Sequence, residues 1–430
     1  MTLLLARPIP ARTAGPAARR YNAGMCARIL LVAPDLPHPP FTGAHTRPLS
    51  ILAALSRDHE VIVCGAASPQ ADLSALHALC AGVERSPVDP YAHGPAHTLL
   101  SRARRELTPV PLLSRSHSAA LAELVSAAVT RYRPDAVQIE GMYAAHYRPD
   151  RVPAVLDLPD VTSGLCEAAA GAHRVRYWAA GLQQRAAERA ERKTLPLFRA
   201  VLTINDDDAA RLRRLGLDPT TVPLAVGLPQ EAEATKAGRP PQGRRRFRIL
   251  FVGNFPHQPN RAAADFIARR LVPRLEVSGV RCEITVAGRG AGELRGFSLA
   301  RQARGCVGLT YAADPPDLSG YYDAADVVLV PLAYGGGTKN KTLEAMSWSR
   351  CVLGSPQAFT GLSRDLRGFA FVQVPLDAAL MADALYRLAL DPARRTAVAA
   401  AGRAYVQRHH SQSAVDAIMK DVYDRVLASS

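Results

Sequence analysis

Residues Pro331 to Met346 read P-L-A-Y-G-G-G-T-K-N-K-T-L-E-A-M. The run from Asp326 to Leu332 has the length and β-branched content of a buried parallel strand, and Gly335, Gly336 and Gly337 then free the backbone for a turn. A helix follows. Thr338 suits its N-cap, and Leu343 with Met346 supplies an i, i+3 apolar stripe to lay on a sheet. Lys339 and Lys341 put two positive charges in the first turn, where the helix dipole already contributes about half a positive charge. That arrangement repels itself unless an anion sits at the glycine loop, so that N–H groups, dipole and both ammonium groups point at one phosphate. The other reading is two solvated lysines on an ordinary strand-to-helix turn.

Glu344 favours the first reading. It lies one turn after Lys341, near the carboxyl end of a strand, where open α/β sheets bind ligands. A carboxylate there holds sugar or ribose hydroxyls while the lysines hold phosphate, and the ligand implied is a nucleotide sugar.

The chain has 430 residues and a formal net charge of +15, which calls for an acidic partner: nucleic acid, an anionic membrane surface or a phosphorylated ligand. There is no RNA-recognition signature, no zinc-finger spacing and no basic helix with interleaved aromatics, so nucleic acid is set aside. The seven cysteines are scattered and form no C-x-x-C pair, which reads as small buried hydrophobes in a reducing compartment. No apolar run approaches the length of a membrane span. A cytoplasmic protein is expected, with peripheral contact at the inner membrane surface as a further reading.

Residues 1–24 are rich in Arg, Ala and Pro, hold no acidic residue, and are expected to be a disordered leader. A first β/α half is expected over 25–227, a linker over 228–246 and a second β/α half over 247–408. A last helix within 409–430 is expected to pack back on the first half. In the first half, the stiff loop Pro34–Thr46 carries Gly43 and leads to Arg47 at a helix start, at the carboxyl end of the first strand. The strand Ala136–Glu140 ends in Glu140. Asp157 and Asp160 follow another buried strand and are candidates for acceptor binding or proton handling, with helix capping by Asp160 or Thr162 as the alternative. Leu99–His117, with Arg102, Arg104, Arg105 and Arg115, fits an anionic membrane or a solvated basic surface, and Pro109 and Pro111 interrupt any continuous helix. Arg174–Phe198 is expected to form one long helix, and Asn205 with Asp206, Asp207 and Asp208 to cap another. In the second half, Gly253-Asn254 and Gly288-Arg289-Gly290 follow strand ends, as Gly335–Gly337 do, so the three turns are expected along one sheet edge.

The ordered set resembles the GT-B glycosyltransferases, and within them the retaining, nucleotide-sugar-dependent group called family 4. It is most similar to bacterial sugar transferases that open the second domain with F-V-G-x(n)-P-N-x-x-A and later carry G-x-G-x-K-x-K-x-L-E-A-M. Here these are Phe251-Val252-Gly253 through Pro259-Asn260-Arg261-Ala262-Ala263, and Gly335 through Met346. Looser agreement comes from Pro39–Arg47, Arg133–Val137 and Leu156–Asp160. The resemblance implies an α/β GT-B fold, two Rossmann-like domains facing each other across a cleft. It implies that the C-terminal domain binds a nucleotide diphosphate sugar through Gly253, Asn254, Gly288, Arg289, Gly336, Gly337, Thr338, Lys339, Lys341 and Glu344. The N-terminal domain would bind the acceptor, a glycan, lipid-linked or small molecule, through Gly43, Arg47, Glu140 and Asp157. No metal and no cofactor beyond the donor co-substrate are implied. Glu344 matches the second glutamate of the E-x7-E signature, which contacts the donor ribose, and Gly336 stands where the first would be. Lys339 and Lys341 replace the cations that usually neutralise the leaving diphosphate, and Lys341, Asp157 and Asp160 are the candidate catalytic residues. A nucleotide-sugar epimerase and a catalytically silent nucleotide- or partner-binding protein of the same fold are the alternatives. The oligomeric state is not readable from the sequence.

Overall fold

Strands buried on both faces of a parallel sheet read as near-continuous apolar runs, and the runs of this chain assemble into two such sheets. The computed structural model describes residues 26–39, 43–86, 118–172, 177–229, 246–297 and 306–428. The chain divides into two compact units, residues 1–225 with 412–430, and residues 226–411.

The first unit is built from β1 (Arg28–Asp35), α1 (Gly43–Asp58), β2 (Glu60–Ala66), α2 (Ser74–Leu79), β3 (Gly82–Ser86), α3 (Ala119–Tyr132), β4 (Ala136–Glu140), β5 (Ala154–Leu158), α4 (Thr162–Ala172), α5 (Tyr177–Thr194), β6 (Ala200–Thr203), α6 (Asp206–Arg214) and β7 (Thr220–Thr221). The sheet runs β3-β2-β1-β4-β5-β6-β7, every pair parallel. The order reverses between β1 and β4, which makes their carboxyl ends the switch point of this unit. Alternate residues of β1 feed two cores: Ile29 and Leu31 pack with α1, Leu30 and Val32 with α3.

The second unit contains β8 (Phe247–Val252), α7 (Gln258–Phe266) continuing through a π turn into α8 (Val272–Ser278), β9 (Cys282–Gly288), β10 (Val307–Ala313), α9 (Ser319–Ala324), β11 (Val327–Val330), α10 (Asn340–Ser347), β12 (Cys351–Gly354), β13 (Val372–Gln373), α11 (Ala378–Leu390) and α12 (Pro392–His409). Its order, β10-β9-β8-β11-β12-β13, is again wholly parallel and reverses between β8 and β11. The last helix, α13 (Gln412–Ala428), belongs to the first unit, where Val415, Met419, Val422, Tyr423 and Val426 form one apolar face against Ile51, Leu52 and Leu55 of α1.

Several expectations are corrected. The long helix expected over Arg174–Phe198 is α5 followed by a 3-10 turn at Leu195–Leu197, because Pro196 cannot continue the hydrogen-bond ladder. Thr338 is not the N-cap of α10. Lys339 holds that position, with extended backbone, and Thr338 is buried one residue earlier. β3, β7, α2 and α9 were not anticipated; all are six residues or shorter and carry too little periodicity to stand out. The leader 1–24, the basic stretch Leu99–His117 and most of the linker 228–246 lie outside the described residues. Cys64, Cys282 and Cys351 are buried, and burial pushes each thiol up to about 12, so they behave as small apolar side chains. No helix among the described residues is long and apolar enough to cross a membrane.

Candidate active site

In the second unit, β8 and β11 are neighbours, so the turns after them emerge together at the switch point. The turn after β9 closes on the same place. The Gly253 N–H donates to Ala287 O at 3.0 Å and the Phe255 N–H to Arg289 O at 2.9 Å. Gly288 has φ +135°, and a Cβ there would lie 2.1 Å from the Gly253 carbonyl oxygen, so only glycine allows the two turns to touch. Gly335 (φ +137°) and Gly337 (φ +59°) likewise use left-handed backbone to lead from β11 into α10.

The two lysines of this turn have different tasks. Lys339 folds back, and its ammonium donates to the carbonyls of Gly335 at 3.3 Å, Gly336 and Gly337. It holds the glycine loop in shape, helped by Gln357, whose amide donates to the Gly335 carbonyl. Gly336 therefore offers a carbonyl to a cation at the position where the resemblance expects a carboxylate. Lys341 reaches towards β8: its Nζ donates to Asn260 Oδ1 at 2.5 Å and lies 4.8 Å from the centre of the Phe251 ring. Asn260 is itself fixed, because its Nδ2 donates to Asn254 O at 2.7 Å. Burial lowers the Lys341 pKa to about 7, with Lys339 adding to the depression and Glu344 opposing it. Burial and the charges of Lys341 and Lys339 also lower the pKa of His257, which opens α7 beside them.

Two polar atoms at these turns, Asn254 Oδ1 and Thr338 Oγ1, are buried without a hydrogen-bond partner among the described residues. Leaving such an atom unpaired costs about 1–3 kcal/mol, a cost that a bound polar ligand removes. Glu344 is held by Tyr322, whose hydroxyl donates to Oε2 at 3.2 Å and whose ring stacks on Trp348 at 7°. Burial raises the Glu344 pKa, while the Tyr322 hydrogen bond and Lys341 pull it down. Sequence reasoning missed Asn260 and Tyr322 as site residues. Asn260 was visible in the Pro259-Asn260 pair, whereas Tyr322 lies on the short helix α9 and had no signal of its own.

In the first unit, Arg47, Glu140 and Asp157 do come together, but as a closed network. Asp157 is fully buried, and both its oxygens are taken by Arg47: Nε to Oδ2 at 3.0 Å and Nη2 to Oδ1 at 2.6 Å. Arg47 Nη1 donates to the carbonyls of Val222 and Pro223. A guanidinium removed from water must be paired in this way, and four of the five Arg47 donors and both Asp157 oxygens are engaged within the network, an assembly of buried charge that the sequence did not announce. The Glu140 pKa is raised well above the carboxylate range, first by burial and then by the charge of Asp157. Burial and the neighbouring charge of Asp157 thus both favour the protonated form of Glu140. Its Oε1 accepts from Gln138 Nε2 at 3.2 Å, and Gln138 Oε1 accepts from the Tyr423 hydroxyl of α13 at 2.9 Å. Gly43 supplies the first residue of α1, and Asp160 follows β5 outside the network.

Two doubly wound parallel sheets, the second with glycine turns along its carboxyl edge, define a two-domain GT-B fold. Residues 246–391 match the family model of glycosyl transferases group 1. Among solved structures, a sucrose-phosphate synthase from Thermosynechococcus elongatus is 17% identical with a TM-score of 0.66, covering 94% of this chain and 100% of that one. HepE from Anabaena in complex with UDP and glucose is 12% identical with a TM-score of 0.60, covering 93% and 99%. An α,α-trehalose 6-phosphate synthase from Burkholderia multivorans is 14% identical with a TM-score of 0.60, covering 94% and 98%. At these identities the likeness establishes the fold. A search of curated proteins found none that matches.

The network in the first unit gives a paired expectation. Asp157→Asn leaves Arg47 buried without a counter-charge and should lower the unfolding free energy by about 3–5 kcal/mol. Glu140→Gln keeps the shape and neutrality of the protonated acid and should cost less than about 1.5 kcal/mol. Urea unfolding of both variants checks this, and equal losses would contradict a protonated Glu140.

Proposed function

We propose that this chain is a glycosyltransferase that moves a sugar from a nucleoside diphosphate donor to a hydroxyl-bearing acceptor, with retention of anomeric configuration. The observation that carries this reading is Lys341, a half-neutralised lysine beside Asn260 at a switch point lined by glycine turns. Such a site lacks only an anion. The family match over 246–391 and the relatives that bind UDP or UDP-glucose support a nucleotide sugar as the source of that anion.

In this reading the glycine N–H groups and Lys341 bind the diphosphate, and Asn254 and Thr338 supply the polar atoms that are otherwise unpaired. Glu344, oriented by Tyr322, takes ribose hydroxyls. As the bond between the anomeric carbon and the phosphate oxygen breaks, negative charge grows on that oxygen and the nearby cation stabilises it. The acceptor oxygen bonds to the same face of the anomeric carbon, and its proton passes to the departing phosphate. No side-chain base is then needed, which agrees with Asp157 being spent on Arg47. No metal is needed either, because Lys341 supplies the neutralising charge. The acceptor-binding role assigned to the first unit, its loop at Gly43 and Asp160 belongs to the same reading.

Incubation with a panel of nucleotide sugars and acceptors, read by mass spectrometry, tests it: a sugar adduct on the acceptor supports transfer, an epimerised donor without acceptor would make the chain an isomerase, and no product would leave a binding protein. Lys341→Ala should lower turnover by roughly two to three orders of magnitude, the scale of losing one charge-stabilising group. Glu344→Ala should mainly weaken donor binding, which isothermal titration measures; unchanged affinity would remove the ribose role. The pH dependence has a fixed sign. With its pKa at about 7 in the free protein, Lys341 is charged below that pH and neutral above it. Diphosphate binding favours the charged form, so affinity for UDP should be greatest below pH about 7 and fall by up to about tenfold per unit above it, with proton uptake on binding. Titrations in two buffers of different ionisation enthalpy would expose that uptake.

A further inference from the structure

Helix α5 (Tyr177–Thr194) shows a face that the proposed reaction does not use. At about 100° per residue, Leu182, Arg185, Arg189, Arg192 and Lys193 fall within roughly a third of the helix circumference. All five are exposed. The two acids of the described helix point elsewhere. Glu191 is buried and accepts the Ser163 N–H of α4 at 2.8 Å, and Glu188 accepts from Gln184 at 3.1 Å. Arg192 Nη1 reaches Leu215 O at 3.4 Å, which brings this face beside the end of α6, where Arg213 and Arg214 are also exposed. Among the described residues no carboxylate pairs with any of these six cations. Leu182 is 59% exposed at one end of the stripe, and Leu197, in the 3-10 turn that ends the helix, is 56% exposed at the other.

We infer that this face docks the protein on a lipid surface rich in anionic headgroups, the six cations meeting headgroup phosphates while Leu182 and Leu197 enter the apolar boundary beneath them. Charge complementarity selects an anionic partner. A second copy of this chain is excluded as the occupant, because each copy carries a net charge of +15 and would present the same cationic stripe. A soluble polyanion would pair with the cations but leave both leucines in water. Only an interface with charge above and hydrocarbon below serves both kinds of residue, one leucine lying on the helix and the other in the turn that ends it. The inference is independent of the donor reading, since it involves no residue of the second unit.

The test is co-sedimentation of the full chain with vesicles of phosphatidylcholine alone, or of phosphatidylcholine and phosphatidylglycerol in equal parts. The protein should pellet with the anionic vesicles, stay in solution with the neutral ones, and be released as salt is raised. Reversing Arg185→Glu with Arg189→Glu should lower the partition coefficient by about thirtyfold or more. Leu182→Asn with Leu197→Asn should lower it by about tenfold, at unchanged charge. Matched reversal of the exposed Arg270 and Arg274 in the second unit should leave it unaltered. Equal binding to neutral vesicles, an equal loss in the Arg270/Arg274 control, or failure of the unaltered protein to pellet would each overturn the inference. Wild-type pelleting by the leucine variant would also overturn it, in favour of a soluble polyanion. Circular dichroism of each variant, together with salt release of the unaltered protein, separates loss of docking from loss of fold.

Discussion

A partly buried lysine ammonium whose direct partners are a neutral amide and an aromatic ring stands at the centre of the carboxyl edge of the second sheet. Lys341 donates to Asn260, Asn260 is tied to the Gly253-Asn254 turn, and that turn is pressed against Gly288 so closely that no side chain fits. The chain of contacts joins three loops that are distant in sequence. Its cost is visible in the depressed pKa of Lys341 and in the unpaired oxygens of Asn254 and Thr338. In the proposed reading, an anion with hydrogen-bonding oxygens would remove all three penalties at once.

The first unit handles buried charge in the opposite way. Arg47 finds a bidentate carboxylate and two carbonyls, so its pairing is complete without a ligand. At the remaining acid, Glu140, burial and the charge of Asp157 both push the pKa up and so favour the neutral form. The network also ties Tyr423 of α13 to β4 through Gln138, so the last helix is fixed by a polar contact as well as by its apolar face. A buried pair of this kind is a device of specificity and registry as much as of stability. The same types of residue, charged and near strand ends, are thus paired with each other in one unit and left with neutral partners in the other.

This contrast explains what was legible in the sequence. The architecture was, because parallel strands announce themselves as apolar runs and glycines after them mark the ligand edge; β4, β8 and β12 fall where the runs place them. The placement of Lys341 and Glu344 was legible too, since both fall on the helix that follows the glycine turn, as the sequence pattern set them. The pairing of Arg47 with Asp157 was not legible, because whether a charged residue is paired depends on a partner 110 positions away. Lys339 was read only in half: its charge was noticed, but its side chain is long enough to turn back on the glycine carbonyls, and no sequence pattern distinguishes that from reaching forward. Tyr322 escaped because its helix, Ser319–Ala324, is too short to show a period.

The net charge of +15 named a partner class without choosing among its members, and residue type makes the choice. In the proposed donor site the cation is a lysine, whose proton affinity burial can lower. On α5 the stripe is three arginines and one lysine, all exposed. A site that must release a product gains from a charge that responds to occupancy; a surface that must stay on an anionic partner gains from one that does not.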